Sequence, residues 1–521
     1  MTVPGRPVDG DPHRWAIAFA VVLASVIQVI DTSIVNVAIP HMMGSLGATI
    51  DEIAWVSTGY MLAAVIVIPL TGWLAAFFGR KRYFVGSIIL FTTASFFCGA
   101  SGSLTTLIVW RVIQGIGGGA LVSTSQAIMY EAFPREETAK AMAMWGLGIM
   151  VGPTLGPTLG GWITDNYSWP WIFYINLPIG ALAAVMVMAY VHDRADSVRT
   201  RSVDGIGIAL LAISVASFQW IIEHGQREEW FTSETVVGLT VLAAVTGILL
   251  LWRELTVPEP AVDFRVLRHR QVWAGTLIGV VVGIGLFGSV FVLPIFLQGV
   301  LRMTAWQTGL IILPGALATA ASMIFVGRVG NRIDARLLIA VGGVMFVVGM
   351  VMLSRMTSQT GTRDFFWPLI WRGLGLGLVF VPLTNLTLAD LDYRELPHAT
   401  GVSNFFRQLG GSFGIAGMAT LLTRYSAQAR VALDAGLPAY GPVTDGRLAL
   451  LTRGFMGRGA DAWTAKQQAL TAINGQLAIQ ASVIGFSKVY LLSGMILLAS
   501  LPLLVLLRPG HSRHSGPAVV E

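Results

Sequence analysis

The chain is poor in charge and almost free of cysteine. Only 12% of its 521 residues are Asp, Glu, Lys or Arg, about half the share of a soluble domain. That excludes a large soluble enzyme, because no soluble core needs so many charge-free runs in series. The single cysteine, Cys98, lies inside an apolar run and excludes both an intrachain disulfide framework and a Cys-based metal site. No Gly-x-x-x-x-Gly-Lys-Ser/Thr phosphate loop occurs, which argues against ATP as a resident energy source. No His-Glu-x-x-His occurs either; His41, His224 and His398 are scattered and read as interfacial or loop histidines. No cofactor and no nucleic-acid partner is expected.

What the chain does have is length and hydrophobicity. Of its residues 54% are hydrophobic, and apolar runs of about 20 residues, enough to cross a bilayer as a helix, recur from end to end. Fourteen runs are predicted, near 15–37, 52–76, 83–102, 105–131, 138–164, 169–191, 203–223, 233–253, 271–298, 305–329, 335–355, 364–390, 397–423 and 483–507. The first carries Asp31 and lacks a small-residue cleavage site, so it reads as a retained helix rather than a signal. An even count puts both termini on one side. With that side inside, twenty Lys and Arg fall in inner segments and four in short outer loops, Arg227, Arg302, Arg355 and Arg363. The bias predicts cytoplasmic termini and explains the net charge of +6 as topology.

The two halves echo each other. Trp110-Arg111 and Trp371-Arg372 open the fourth and twelfth runs, each followed by a glycine series. The basic turn Gly79-Arg80-Lys81-Arg82 has a counterpart from Gly327-Arg328 to Arg336, and Arg135-Glu136 one at Arg394-Glu395. The expected organisation is a tail at 1–14, a six-helix bundle at 15–191, two inserted helices within 192–270, a second six-helix bundle at 271–507, and a tail at 508–521. Parallel repeats of this kind are typical of transporters.

Several polar residues sit where hydrocarbon makes them expensive. At about 1.5 Å per residue, Asp31 and Arg111 fall at similar depth in the outer half of a core about 30 Å thick. A buried Asp beside a movable Arg has two states, paired and ionised or protonated and released, which is a basis for exchanging a proton against a substrate. Bracing of helix 1 and a static pair are the plain alternatives. Arg407 lies near mid-membrane with Asn404 and Gln408 beside it and no carboxylate in its run; it reads as an attractor of anionic groups or as a packing residue, and Arg372 shares that ambiguity. Gly152-Pro153, Gly156-Pro157 and Gly160-Gly161 predict a bent rod with a smooth glycine side for close helix approach. The outer stretch 424–482 is polar, and Trp463, Leu470, Ile473 and Leu477 recur at helical spacing, predicting an amphipathic helix on the membrane or on a partner.

On these motifs the chain resembles the major facilitator superfamily, and within it the fourteen-helix drug:proton antiporters of the EmrB/QacA type. The segments that carry the resemblance are Asp31 to Pro40, Leu107 to Gly119, Gly152 to Gly161, Trp169 to Pro178, and Asn404 with Arg407 to Gly411. One segment departs from the pattern. The family's loop after helix 2 usually reads Gly-x-Leu-Ala-Asp-Arg-x-Gly-Arg-Lys, whereas Gly72 to Lys81 has Ala76 and Phe77 in place of the Asp and Arg. The gating loop, marked by Gly72, Gly79, Arg80 and Lys81, therefore lacks its usual charge pair.

The resemblance implies an all-α membrane protein with two six-helix bundles and two inserted helices. It implies export of lipophilic drugs across the bacterial inner membrane by alternating access, driven by the proton gradient. Asp31 and Arg111 would couple the proton, while Gln114, Asn385, Asn404 and Arg407 would line a substrate site between the halves near the midplane. The missing carboxylate in the Arg407 run favours neutral or weakly acidic lipophiles over dications. Such pumps work with a periplasmic adaptor and an outer-membrane channel, for which 424–482 is the docking candidate. A dedicated exporter of one endogenous metabolite or siderophore, and a non-transporting sensor or scaffold, are the competing readings. A membrane enzyme would need a nucleophile or metal cluster at one depth, and none is visible.

Overall fold

The computed structural model describes residues 12–134, 137–192, 204–226, 228–330, 332–389, 391, 395–435 and 442–507. No strand occurs among them. Residues 1–11 and 508–521, Arg135-Glu136, Arg227 and Arg394 lie outside the described residues.

The chain runs through α1 (Arg14–Leu46), α2 (Ile50–Phe78), α3 (Arg80–Gly99), α4 (Leu104–Ala132), α5 (Thr138–Asn166), a broken sixth rod made of α6 (Trp171–Tyr174) and α7 (Asn176–Tyr190), and the pair α8 (Gly205–His224) and α9 (Glu234–Thr256). It continues through α10 (Arg270–Ile295), α11 (Ala305–Val329), α12 (Ala335–Leu353), α13 (Phe366–Leu388), α14 (Leu396–Ala435), α15 (Pro442–Met456) and α16 (Ala462–Ser500). Among the described residues, twelve helical segments are long and apolar enough to cross a membrane. Two further long helices, α5 and α14, pack among those twelve. Lipid cannot satisfy backbone N–H and C=O groups, so a chain that crosses repeatedly folds as helices that bond internally.

The repeat is visible in the packing. The pairings α1–α5, α2–α4, α3–α4, α1–α7 and α3–α7 recur as α10–α14, α11–α13, α12–α13, α10–α16 and α12–α16. Glycines set these crossings. A methyl group on Gly115 or Gly119 would strike α2 at Tyr60 O or Ala64 O, and one on Gly117 would lie 2.7 Å from Phe91 N of α3. In the second half, Gly373 meets Gly315 O of α11, Gly375 lies 2.6 Å from Phe346 N of α12, and Gly377 meets Ser322 of α11. The glycines thus match 115, 117 and 119 with 373, 375 and 377. This corrects the alignment of Arg111 with Arg372: Arg372 stands opposite Gln114, and Leu369 opposite Arg111.

The inserted pair is peripheral. α8 packs on α2 and α14, and α9 packs on α8 with its outer face exposed. Thr58 of α2 donates to Glu223 Oε2 of α8 at 2.7 Å. Asp204 caps α8 by accepting from Gly207 N at 2.9 Å and pairs with Arg253 Nη2 at 2.7 Å. Burial opposes the Asp204 charge, but these donors outweigh it and hold the carboxyl below its ordinary range.

Where an amphipathic helix on the membrane or on a partner is expected, the structure has a helix continuous with the last span. α14 and α16 extend well past their apolar segments, to 40 and 39 residues, and α15 packs against α16. The 462–482 stretch is the first half of the last spanning rod, because no proline interrupts the helix before Ser500. Its buried side is Ala465 and Ala469, while Trp463 and Leu470 are exposed. Small side chains let helices approach closely, so they, and not the large apolar ones, face inward.

Candidate functional site

The polar centre of the first half is assembled on Asp31, which is fully buried on α1. Arg111 of α4 donates from Nη1 to Asp31 Oδ2 at 2.6 Å. Gln114, one helical turn along α4, donates from Nε2 to Asp31 Oδ1 at 2.9 Å and accepts from Arg111 Nη1 at 2.7 Å. Asn176 of α7 donates to Asp31 Oδ1 at 2.9 Å and to Ser95 Oγ of α3 at 3.0 Å. Arg111 Nε donates to Val56 O of α2 at 2.9 Å, and its guanidinium lies over the Tyr60 ring at 4.2 Å. Five helices therefore meet at one ion pair. A buried charge is tolerated only when paired and hydrogen-bonded, and removing one partner of such a pair costs about 3–5 kcal/mol.

Gln114 is corrected by this geometry. It is buried among Asp31, Arg111 and Cys98, whose Sγ lies 3.6 Å from Gln114 Oε1, and does not line a gap between the halves. Asn176 and Ser95 are members that sequence reasoning missed. Asn176 belongs to the Trp169–Pro178 segment, and a polar residue at the start of an apolar run was the available signal.

Arg407 and Asn404 lie where α14 crosses the first half. Asn404 Nδ2 donates to Gln126 Oε1 at 2.8 Å and to Ser123 Oγ at 3.2 Å, both on α4. Arg407 Nη2 donates to Asn404 Oδ1 at 2.5 Å, and its guanidinium sits 4.9 Å over Phe380, which stacks on Trp145 of α5. Among the described residues no carboxylate pairs with Arg407. Asn385 departs from its expected midplane position. It stands near the end of α13 and accepts from the Tyr130 hydroxyl of α4 at 2.8 Å, so it joins the halves at their inner end. Arg372 is buried, and among the described residues its Nε and Nη1 have no hydrogen-bond partner.

The glycine side of α5 meets α1 as the spacing predicts. Methyl groups on Gly152 and Gly160 would lie 2.6 Å from Val29 Cγ1 and 2.8 Å from Ile34 Cγ1, and one on Gly156 would overlap the Ser33 hydroxyl. Gly161 is buried, and its carbonyl accepts from Thr164 Oγ1 at 3.1 Å. α5 is continuous through 153 and 157; the Pro153 and Pro157 side chains lie outside those described. The opposite side of α5 meets α11 of the second half, where Gly309 faces Thr158 and Gly327 faces Ala143.

In the gating loop, Gly79 turns the chain between α2 and α3 with φ of 85°, a conformation costly to any side chain. Arg80 pairs with Glu131 of α4, a partner that the sequence reading did not find. Lys81 sits beside it, half-buried. Gly72 packs against His398 of α14, its missing Cβ 2.6 Å from the ring Nδ1. The reading of His398 as a loop histidine is thus corrected: it lies half-buried on α14 against α2 of the other half, because Gly72 leaves room for the ring.

Most ion pairs gather at this end: Arg14–Glu137, Arg80–Glu131, Arg253–Asp204 and Arg268–Glu395. Here too the apolar core runs unbroken from Phe84 and Phe133 to Val326 and Leu388 of the second half. At the other end the halves keep separate clusters, around Ile34 and Trp169 and around Phe296 and Phe486. The molecule is closed toward the end that carries the basic loops.

The family description of the Major Facilitator Superfamily matches residues 21–415. The multidrug export protein EmrB of Escherichia coli is 34% identical over 515 residues, 98% of each chain. The fatty acid resistance protein FarB of Neisseria gonorrhoeae is 29% identical over 511 residues, again 98% of each. Among solved structures, the human organic anion transporter MFSD10 superposes with a TM-score of 0.57 at 13% identity, over 94% of this chain and all of that one. Matched end to end by these relatives, folded as they fold and crossing the bilayer many times, the chain belongs to the major facilitator superfamily, in the group of the EmrB export proteins.

Proposed function

We propose that this protein exports lipophilic small molecules across the bacterial inner membrane in exchange for protons, with Asp31 as the proton carrier. The observation that carries the reading is the buried Asp31–Arg111 pair with its three further polar partners. Protonation would cancel the charge that Arg111 answers and leave its guanidinium on Val56 O, Gln114 and Tyr60. Asp31 is wholly buried in this inward-closed arrangement, so a proton can reach it only as the helices shift. That requirement couples proton access to reorientation.

Cargo would lie against α14, where Arg407 presents a cation that no carboxylate among the described residues neutralises. An unpaired guanidinium in a low-dielectric gap attracts anionic or electron-rich groups. The names of two relatives, a multidrug exporter and a fatty acid resistance protein, support lipophilic cargo with an acidic member. Both termini are assigned to the cytoplasm, on the side of the basic loops. The outer extensions of α14 and α16, with α15, would meet a periplasmic adaptor that leads to an outer-membrane channel; exposed Trp463 stands on that stalk.

Asp31→Asn should abolish export driven by a proton gradient in proteoliposomes while the protein still inserts and folds. Export at the wild-type rate in that variant removes the coupling assignment.

A further inference from the structure

A cavity of about 800 Å³ opens between the outer ends of α11 and α13, away from the gap between the halves. Its cause is a helix crossing. Gly315 and Gly373 bring the two backbones so close that a methyl group on Gly373 would strike Gly315 O. From that point the rods diverge toward their N-termini and leave a wedge. Leu310, Pro314, Phe366 and Trp367 make its walls apolar. Leu310, Phe366 and Trp367 are each at least 46% exposed, and Leu313 and Leu317 beside them are exposed as well, so the wedge opens on the lipid side.

At its rim stand two cations, Arg302 and Arg363. Among the described residues neither guanidinium forms an ion pair or a hydrogen bond. The neighbouring Asp364 is already engaged, with Oδ2 accepting from Gly361 N at 2.9 Å. Arg302 also holds a left-handed backbone with φ of 58°, a conformation that costs a non-glycine residue about 1 kcal/mol or more and persists only where its surroundings enforce it. The turn that enforces it is closed by Met303 N donating to Leu297 O at 3.0 Å.

We infer that this wedge seats an anionic phospholipid of the outer leaflet, its phosphate between Arg302 and Arg363 and an acyl chain along Leu310 and Pro314. Apolar walls of this volume fit a chain, and paired guanidinium groups at the lipid–water boundary fit a phosphate. The occupant braces α11, which packs on α5 of the other half, so the site reaches the interface that must move. The inference needs only that this end meets the outer leaflet; it does not depend on proton coupling.

The test is lipid retention in nanodiscs of mixed phosphatidylglycerol and phosphatidylcholine, read by native mass spectrometry after delipidation. Wild-type protein should retain phosphatidylglycerol selectively. Arg302→Ala with Arg363→Ala should lower that retention about thirtyfold, at roughly fivefold for each cation, while Arg332→Ala with Arg336→Ala at the opposite end leaves it unchanged. Leu310→Trp, which fills the wedge and keeps both cations, should also remove the lipid. Arg302→Lys with Arg363→Lys should restore most binding and shows that the fold tolerates change there. Equal retention of the two lipids, unchanged retention in the double alanine or Leu310→Trp variant, or displacement by a free fatty carboxylate at equal concentration overturns the assignment.

Discussion

At the scale of single residues, the chemistry is concentrated in two cations with opposite circumstances. Arg111 is held by a carboxylate, an amide, a carbonyl and a ring; Arg407 has an amide and a ring but no counter-charge. On the proposed function, the first would be switched by a proton and the second would meet cargo. Arg407→Ala should therefore weaken export of lipophilic acids at least about tenfold more than export of lipophilic cations, measured as KM in proteoliposomes. Equal losses would count against an anion-facing role. The ion pair was legible in the sequence because charges inside apolar runs are few and their depths could be compared. Asn176, Glu131 and His398 were not, because each depends on which helix faces it. Run depth also misled for Asn385, whose neighbour Tyr130 comes from the other half.

The helices owe their arrangement to small residues more than to large ones. The glycines of α4 and α13 fix the crossings inside each half, and those of α5 fix its seat on α1. Gly156→Leu should destabilise the protein by about 1–3 kcal/mol, since the added volume meets Ser33 and the α1 backbone with no space to yield. Thermal unfolding in detergent checks this; a Tm within a degree of wild type would show that α1 gives way freely. Spacing alone disclosed the α5 surface, since four-residue intervals put Gly152, Gly156 and Gly160 on one side. Within 462–482 the spacing of Trp463 and Leu470 announced a helix, which forms the start of α16 with those two side chains exposed and Ala465 and Ala469 buried.

For the whole molecule, the repeated helix pairings and the core that spans both halves at one end describe a transporter closed inward. The inner seal includes Tyr130 against Asn385 and His398 against Gly72. With Cys98 replaced by Ser as background, Tyr130→Cys and Asn385→Cys joined by a short bis-maleimide should reduce transport at least about tenfold, and each single variant should remain active. Full activity after complete cross-linking would mean that this contact does not open during the cycle. The repeat was readable from hydrophobic runs and matching motifs, whereas the closed end was not, because sequence does not select among conformations of one fold.

The account rests on a proton leaving Asp31 as cargo takes hold, and proton release can be measured directly. Detergent-solubilised protein in weakly buffered solution, brought to a pH low enough to protonate Asp31 and then loaded with a lipophilic acid or dye that it transports, should release about one proton per binding event. The Asp31→Asn variant should bind the same compound and release none. Release of an equal number of protons by the variant would contradict the account and place the titrating group elsewhere in the molecule.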